Sequence, residues 1–264
     1  MSGARVRVLP SAAAIGDYLA PRLLEGIKRA ENGGKRFLLG CPTGRTPRPI
    51  YESIARRLTQ KEQDMSGVTL VMMDEYLVRE GAAFRYADDR RPWSCHHFAR
   101  THIVDAWNQG LKPDDRLRSE SVWFPDPAAP AEYDGRIADA GGIDFFILAS
   151  GASDGHVAFN PPGSPRGSTT RIIALSDETR RDNLKTFPDF GALDAVPTHG
   201  VSVGLATIAS AKECAMVVWG AGKRLSLQRM QRTDRFEPDW PATIIHECRG
   251  EIICDAAVAE ESAA

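Results

Sequence analysis

IDFFILASGASDGHVAFN, residues 143–160, is the stretch on which the architecture turns. Its first eight residues form an apolar run of strand length, the pattern of a strand buried on both faces of a parallel sheet. The run empties into Gly151, Ser153, Asp154, Gly155 and His156. A strand end is held by its neighbours, and glycines beside it let backbone and ligand approach closely, so an Asp and a His two residues apart mark an active site at the carboxyl edge of the sheet. His156 is the natural proton carrier. A carboxylate at Asp154 would hold its tautomer and raise its basicity.

The same reading extends in both directions. Residues 11–32 carry Ile15, Leu19, Leu23, Leu24 and Ile27 at helical spacing, and Gly33-Gly34 supplies a stop. RFLLG then feeds CPTGRTPRPIYESIARRL, a strand, tight turn and helix in which Thr43 or Thr46 is placed to cap and Pro47 suits an early helical position. VTLVMM (68–73) runs into Asp74-Glu75-Tyr76, ECAMVVWG (213–220) runs into Gly222-Lys223 and a helical KRLSLQRMQR, and EIICD supplies a last strand. Residues 78–93 and 125–132 read as loops, neither long enough for an interdomain linker. Strands that are almost wholly apolar and alternate with helices predict an α/β fold, a three-layer sandwich with a mainly parallel sheet covered on both faces, formed by residues 1–264 as a single domain.

Composition excludes several classes. With 33 basic and 35 acidic side chains the net charge is -2, which gives no field favouring nucleic acid or an anionic membrane. No run approaches bilayer-spanning length, and Pro10 and Asp17 interrupt the N-terminal region where a signal peptide needs an unbroken apolar core, so a cytoplasmic location is expected. Five cysteines without CxxC spacing argue against a disulfide framework and a structural zinc site, and Cys41, Cys214 and Cys254 read as small buried hydrophobes. Cys95-His96-His97 is the nearest approach to a metal cluster, but adjacent residues diverge, so no metal site is expected.

Four strand ends therefore carry the polar residues. Thr43, Gly44, Arg45 and Thr46 lie between strand and helix, where amides, hydroxyls and the helix dipole suit an anion; an ordinary capped turn fits the same residues. The loop lacks the Gly-Lys-Ser/Thr ending of a nucleotide-binding loop. Asp74 and Glu75 project to opposite faces and should do different work, one into a cleft, although capping or surface pairing is the default for such acids. Lys223 follows a strand and a glycine, where an ammonium can neutralise phosphate.

In this order, PTGRTP (42–47), MDEY (73–76), Ser94 with the following His and Phe, DGHVAFN (154–160), STTRI with a later DETRRDN, SVGLATI (202–208) and the GxxK ending at Lys223 resemble the glucosamine-6-phosphate deaminase/isomerase family, whose wider superfamily includes 6-phosphogluconolactonases. The likeness covers most of the chain, and DGHVAFN and MDEYL lean towards the deaminase branch. It implies a Rossmann-like sheet and an enzyme acting on an amino-hexose 6-phosphate or related phosphosugar. Asp74 would shuttle a proton between C1 and C2, His156 would open the ring with Asp154 orienting it, and Thr43, Gly44, Arg45, Thr46, Lys185 and Lys223 would hold phosphate. No cofactor is required. Homo-oligomer formation and the identity of any effector are left open.

The chain departs from the family pattern in four places. Lys185 stands for an Arg, Pro161 for the acid of FNEPG, and Arg45 for the second glycine of PTGGTP. The stretch before Ser94 is longer and carries Arg85, Arg90 and Arg91. Loss of the acid makes a non-deaminating ketose–aldose isomerase a competitor. A sugar-phosphate lactonase, in which His156 would activate water, is the next alternative, and a non-catalytic sugar-phosphate sensor the third. Arg171, where some relatives bind effectors, is expected to sit in a salt bridge.

Overall fold

The computed structural model describes residues 3–260. Seven strands form one parallel sheet: β1 (Arg5–Leu9), β2 (Phe37–Cys41), β3 (Val68–Met72), β6 (Val122–Trp123), β7 (Phe145–Ala149), β10 (Cys214–Val218) and β11 (Gly250–Asp255), in the order β1-β11-β10-β7-β2-β3-β6. The strands whose ends carry the candidate residues, β10, β7, β2 and β3, are consecutive at its centre. Their loops thus open onto one stretch of the carboxyl edge.

Alternation along the strands divides the core into two layers. Leu39, Leu70, Ile147 and Val217 join Ile15, Leu19 and Leu23 of α1 (Ala12–Asn32), Ile50 and Ile54 of α2 (Arg48–Gln60), Phe98 of α3 (Cys95–Phe98) and Trp107 of α4 (Asp105–Asn108). Leu38, Val71, Phe146, Leu148 and Met216 face the other way, against α5 (Glu132–Asp139), α7 (Leu205–Ala209) and α8 (Arg224–Gln231). Burying each such aliphatic or aromatic side chain contributes ~1.5–3 kcal/mol, which is why both faces of the sheet must be covered. Ser11 caps α1 through its side chain and Gly33 ends it. The predicted cap of α2 is corrected: Pro47 occupies the cap position with no side-chain hydrogen bond, and neither Thr43 nor Thr46 caps.

A second, antiparallel sheet was not foreseen. β4 (Asp74–Glu80) leaves β3 after Met73 and pairs with β5 (Ala83–Tyr86) and β9 (His199–Ser202), and β9 pairs with β8 (Arg171–Ala174). Residues 78–93, expected as a loop, contain the end of β4 and the whole of β5, which pair as a hairpin. Tyr76, Phe159, Ile173 and Phe190 form a small core beneath this sheet, and α6 (Asp177–Thr186) follows β8. α9 (Ala256–Ala259) ends the described chain.

Candidate active site

Asp154 and His156 sit in the turn after β7. Asp154 Oδ1 lies 2.7 Å from His156 Nδ1 and accepts from the His156 amide at 3.2 Å, while Thr179 Oγ1 of α6 donates to Oδ2 at 2.9 Å. Burial alone would raise this carboxyl. The hydrogen bonds and charge of His156, with the Thr179 hydroxyl, outweigh it and hold Asp154 well below the usual carboxylate range. An ionised Asp154 can only accept, so Nδ1 carries the hydrogen and Nε2 keeps its lone pair for a ligand. The turn tolerates no side chain at Gly151, where a Cβ would stand 2.3 Å from His156 Nδ1 and 2.4 Å from Asp154 Oδ1.

His156 lines a cavity of about 390 Å³, within the roughly 300–1,000 Å³ common for small-molecule sites. Asp74 reaches it from the first residue of β4, at the point where the chain passes from the parallel to the antiparallel sheet. Burial pushes its carboxyl up to about 7; a hydrogen bond from Cys95 works against this and the neighbouring Glu75 charge adds to it. Asp74 is thus poised to give or take a proton near neutrality.

Glu75 points away, as strand alternation requires. Fully buried, it accepts from the Tyr76 and Cys95 amides at 2.7 and 3.1 Å with one oxygen. The other oxygen takes the Ser94 hydroxyl and the His96 amide, both at 2.9 Å, and lies 2.6 Å from His96 Nδ1. It anchors the start of α3.

Thr43, Gly44, Arg45 and Thr46 form another wall. Their amides donate to no protein acceptor among the described residues, and Gly44 takes φ +84°, so the loop presents donors as an anion cradle does. Lys223 comes in after β10, donates to the Ser150 carbonyl, and is brought down to about 8 by burial; Asp182 and Asp154 oppose that fall and Arg45 adds to it. Lys185 is at the exposed rim, 3.9 Å from Asp182. The structure therefore gathers all nine candidate residues, eight on the cavity wall and Asp154 behind His156.

Several participants escaped sequence reading. Asp182 accepts from the Ala152 and Ser153 amides at 3.1 and 3.3 Å and from Ser153 Oγ at 2.9 Å, tying α6 to the Asp154–His156 turn. Asn183 also lines the cavity, and its buried Nδ2 has no hydrogen-bond partner among the described residues, leaving a donor for a ligand. Both lie in DETRRDN, a segment already singled out, but only the helical face reveals which residues turn inward. Pro161 is not on the wall. Arg171 is corrected: instead of a salt bridge it bonds Asn160 Oδ1 at 2.9 Å and the Thr169 carbonyl at 3.2 Å.

The carboxylates of Asp154 and Asp182 and the His156 imidazole present oxygen and nitrogen atoms within 4.8 Å of one another. Asp154 is already bonded to the imidazole and Asp182 to the 152–153 backbone, so the trio reads as a hydrogen-bonded network.

A family model described as glucosamine-6-phosphate isomerases/6-phosphogluconolactonase matches residues 10–254. The chain belongs to this family. Among its relatives, the glucosamine-6-phosphate deaminase of Beutenbergia cavernae is 35% identical over 224 residues, covering 84% of this chain and 80% of that protein. The deaminase of an Arthrobacter species is 34% identical over 218 residues, covering 83% and 77%. The fold matches a monomeric glucosamine-6-phosphate deaminase with a TM-score of 0.81 at 23% identity, covering 97% of this chain and 98% of that one. A 6-phosphogluconolactonase from Trypanosoma cruzi matches with a TM-score of 0.69 at 17% identity, covering 100% and 99%. No helix of the described chain is long and apolar enough to cross a membrane.

Proposed function

We propose that this protein is a phosphosugar isomerase/deaminase that acts on an amino-hexose 6-phosphate by moving a proton from C2 to C1, with release of ammonia. The observation that carries the reading is the shared cavity: an acid poised near neutrality, a carboxylate-oriented imidazole and an anion cradle face the same space. The names of the relatives support the same chemistry.

In this reading the phosphate rests against the amides and hydroxyls of the 43–46 loop, with Lys223 and the Arg45 and Lys185 side chains supplying charge. His156 Nε2 takes the C1 hydroxyl proton and returns one to the ring oxygen, so the pyranose opens to the aldehyde. Asp74, as carboxylate, removes the C2 proton while a proton of the C2 ammonium passes to the C1 oxygen, giving an enolamine, and the protonated Asp74 then delivers the proton it took to C1. The resulting C2 imine takes up water and loses ammonia, leaving the ketose phosphate. Every step uses carboxylate and imidazole groups that the chain itself carries, in residues 1–264 read as one cytoplasmic domain.

A second reading, a ketose–aldose isomerase that releases no ammonia, rests on the sequence departure at Pro161, which can neither donate nor titrate and stands off the cavity wall. It uses the same transfer at Asp74. A panel of 2-amino and neutral phosphosugars, monitored for ammonia and ketose together, separates the two: ammonia from an amino sugar supports the first, ketose without ammonia the second. Lactone hydrolysis that persists in Asp74→Asn, with neither of the other activities in the unaltered protein, would overturn both.

A further inference from the structure

Asp74 is buried, yet among the described residues one side chain alone donates a hydrogen bond to its carboxylate: Cys95, with Sγ 3.4 Å from Oδ1. The same sulfur lies 3.4 Å from Thr43 Oγ1, so a thiol stands between the anion cradle and the acid. Cys95 is 1% exposed and forms no disulfide. Its place is fixed by the first turn of α3, where Ser94 caps and Glu75 binds the amides of Cys95 and His96.

We propose that Cys95 is a positioning residue for Asp74, its S–H aimed at Oδ1 and its sulfur accepting from the Thr43 hydroxyl, so that the carboxylate is held towards the cavity in a proton-accepting state. The proposal rests on the reading of Asp74 as the C1–C2 proton carrier. The chemistry suits a thiol. Several strong donors would keep a buried carboxylate ionised and make it a poor base, whereas none would leave it protonated in an apolar wall. One soft donor lies between those limits. Once Asp74 has taken a proton the S–H can turn to Thr43 Oγ1, since either member of that pair can donate, and no polar atom is stranded. The other titratable groups facing Asp74 are Glu75 and Tyr76 of β4 and Tyr51 of α2. His156, Arg45, Lys185 and Lys223 face the same cavity, and among the described residues the thiol is the side chain that bonds the carboxylate directly and favours its ionised form.

The test compares pH profiles of kcat/KM for Cys95→Ala and Cys95→Ser with the unaltered enzyme. Cys95→Ala is expected to move the ascending limb upward by about one pH unit and to lower kcat about tenfold, with KM changed much less. Cys95→Ser, which keeps a donor, is expected to recover most of both effects. An alanine profile superimposed on that of the unaltered enzyme would overturn the proposal, because a role in packing alone lowers stability without moving the limb. The infrared S–H stretch, isolated by difference against Cys95→Ala or by its position if that variant does not fold, reads the contact without turnover. It is expected to shift with pH in the unaltered protein and to stay still in Asp74→Asn; a band indifferent to pH overturns the proposal. If no phosphosugar is turned over, the parent reading fails while the S–H band still decides on Cys95.

Discussion

Oδ1 of Asp154 stands 2.7 Å from Nδ1 of His156, and Thr179 holds the other oxygen of that carboxylate. The imidazole is thereby fixed in one tautomer, and in the proposed mechanism Nε2 is the atom left for the sugar. Asp154→Asn replaces an obligate acceptor with a group that can also donate, so the wrong tautomer becomes accessible. The expected result is a fall in kcat of about 10²-fold or more with KM little changed, read from steady-state kinetics.

The same carboxylate links folding to pH. Its folded-state value is depressed below the ordinary 3.8, so its stabilising contribution is present above that pH and is lost as pH falls towards the folded value. Thermal melts of Asp154→Asn should lie below those of the unaltered protein at pH 7 and converge with them below about pH 4.

Asp74 runs the other way. Its folded carboxyl titrates at about 7 against an ordinary 3.8, so the folded state binds the extra proton between those values and stability declines as pH rises through them. Above pH 7 the buried charge is a standing cost, on the order of a few kcal/mol at most. Asp74→Asn should therefore abolish turnover yet raise the melting temperature at pH 8, with the difference vanishing near pH 4.

The proposed mechanism requires Asp74 ionised and Lys223 charged. With the acid at about 7 and the ammonium at about 8, kcat/KM should rise through the first value and fall through the second, giving a narrow bell. Lys223→Ala should raise KM for the phosphosugar about 10–100-fold and remove the descending limb.

Asp182 binds two amides and the hydroxyl of the 152–153 segment that leads into Asp154. Asp182→Ala should loosen that turn and lower kcat about tenfold, and faster amide exchange at Ala152 and Ser153 would report the cause. Unchanged exchange would show that the turn holds without α6.

The central sheet was legible because strands buried on both faces must be apolar throughout, as in FLLGC, VTLVM, FFILA and CAMVV. The edge strand RVRVL alternates and is partly exposed, so it carries no such signal. The antiparallel sheet was hidden for a different reason. A single residue, Met73, separates the end of β3 from the start of β4, which makes VTLVMMDEYL look like a single strand with a polar end, and β8 and β9 are four residues each. Within the site, Asp74, His156 and Lys223 announced themselves by following apolar runs. Cys95 did not, because its importance depends on α3 folding back upon a carboxylate 21 residues earlier in the chain. The anchoring role of Glu75 was hidden by the same long-range contact, although strand alternation had already separated it from Asp74.

Proton transfer at Asp74 is most directly read by carrying out the reaction in deuterium oxide and locating the label in the ketose phosphate by NMR. Transfer between C2 and C1 by one carboxyl group is expected to leave solvent deuterium at C1, in part or in full, and Asp74→Asn is expected to yield no labelled ketose. Product that forms at an undiminished rate in Asp74→Asn would contradict the assignment of this proton to Asp74.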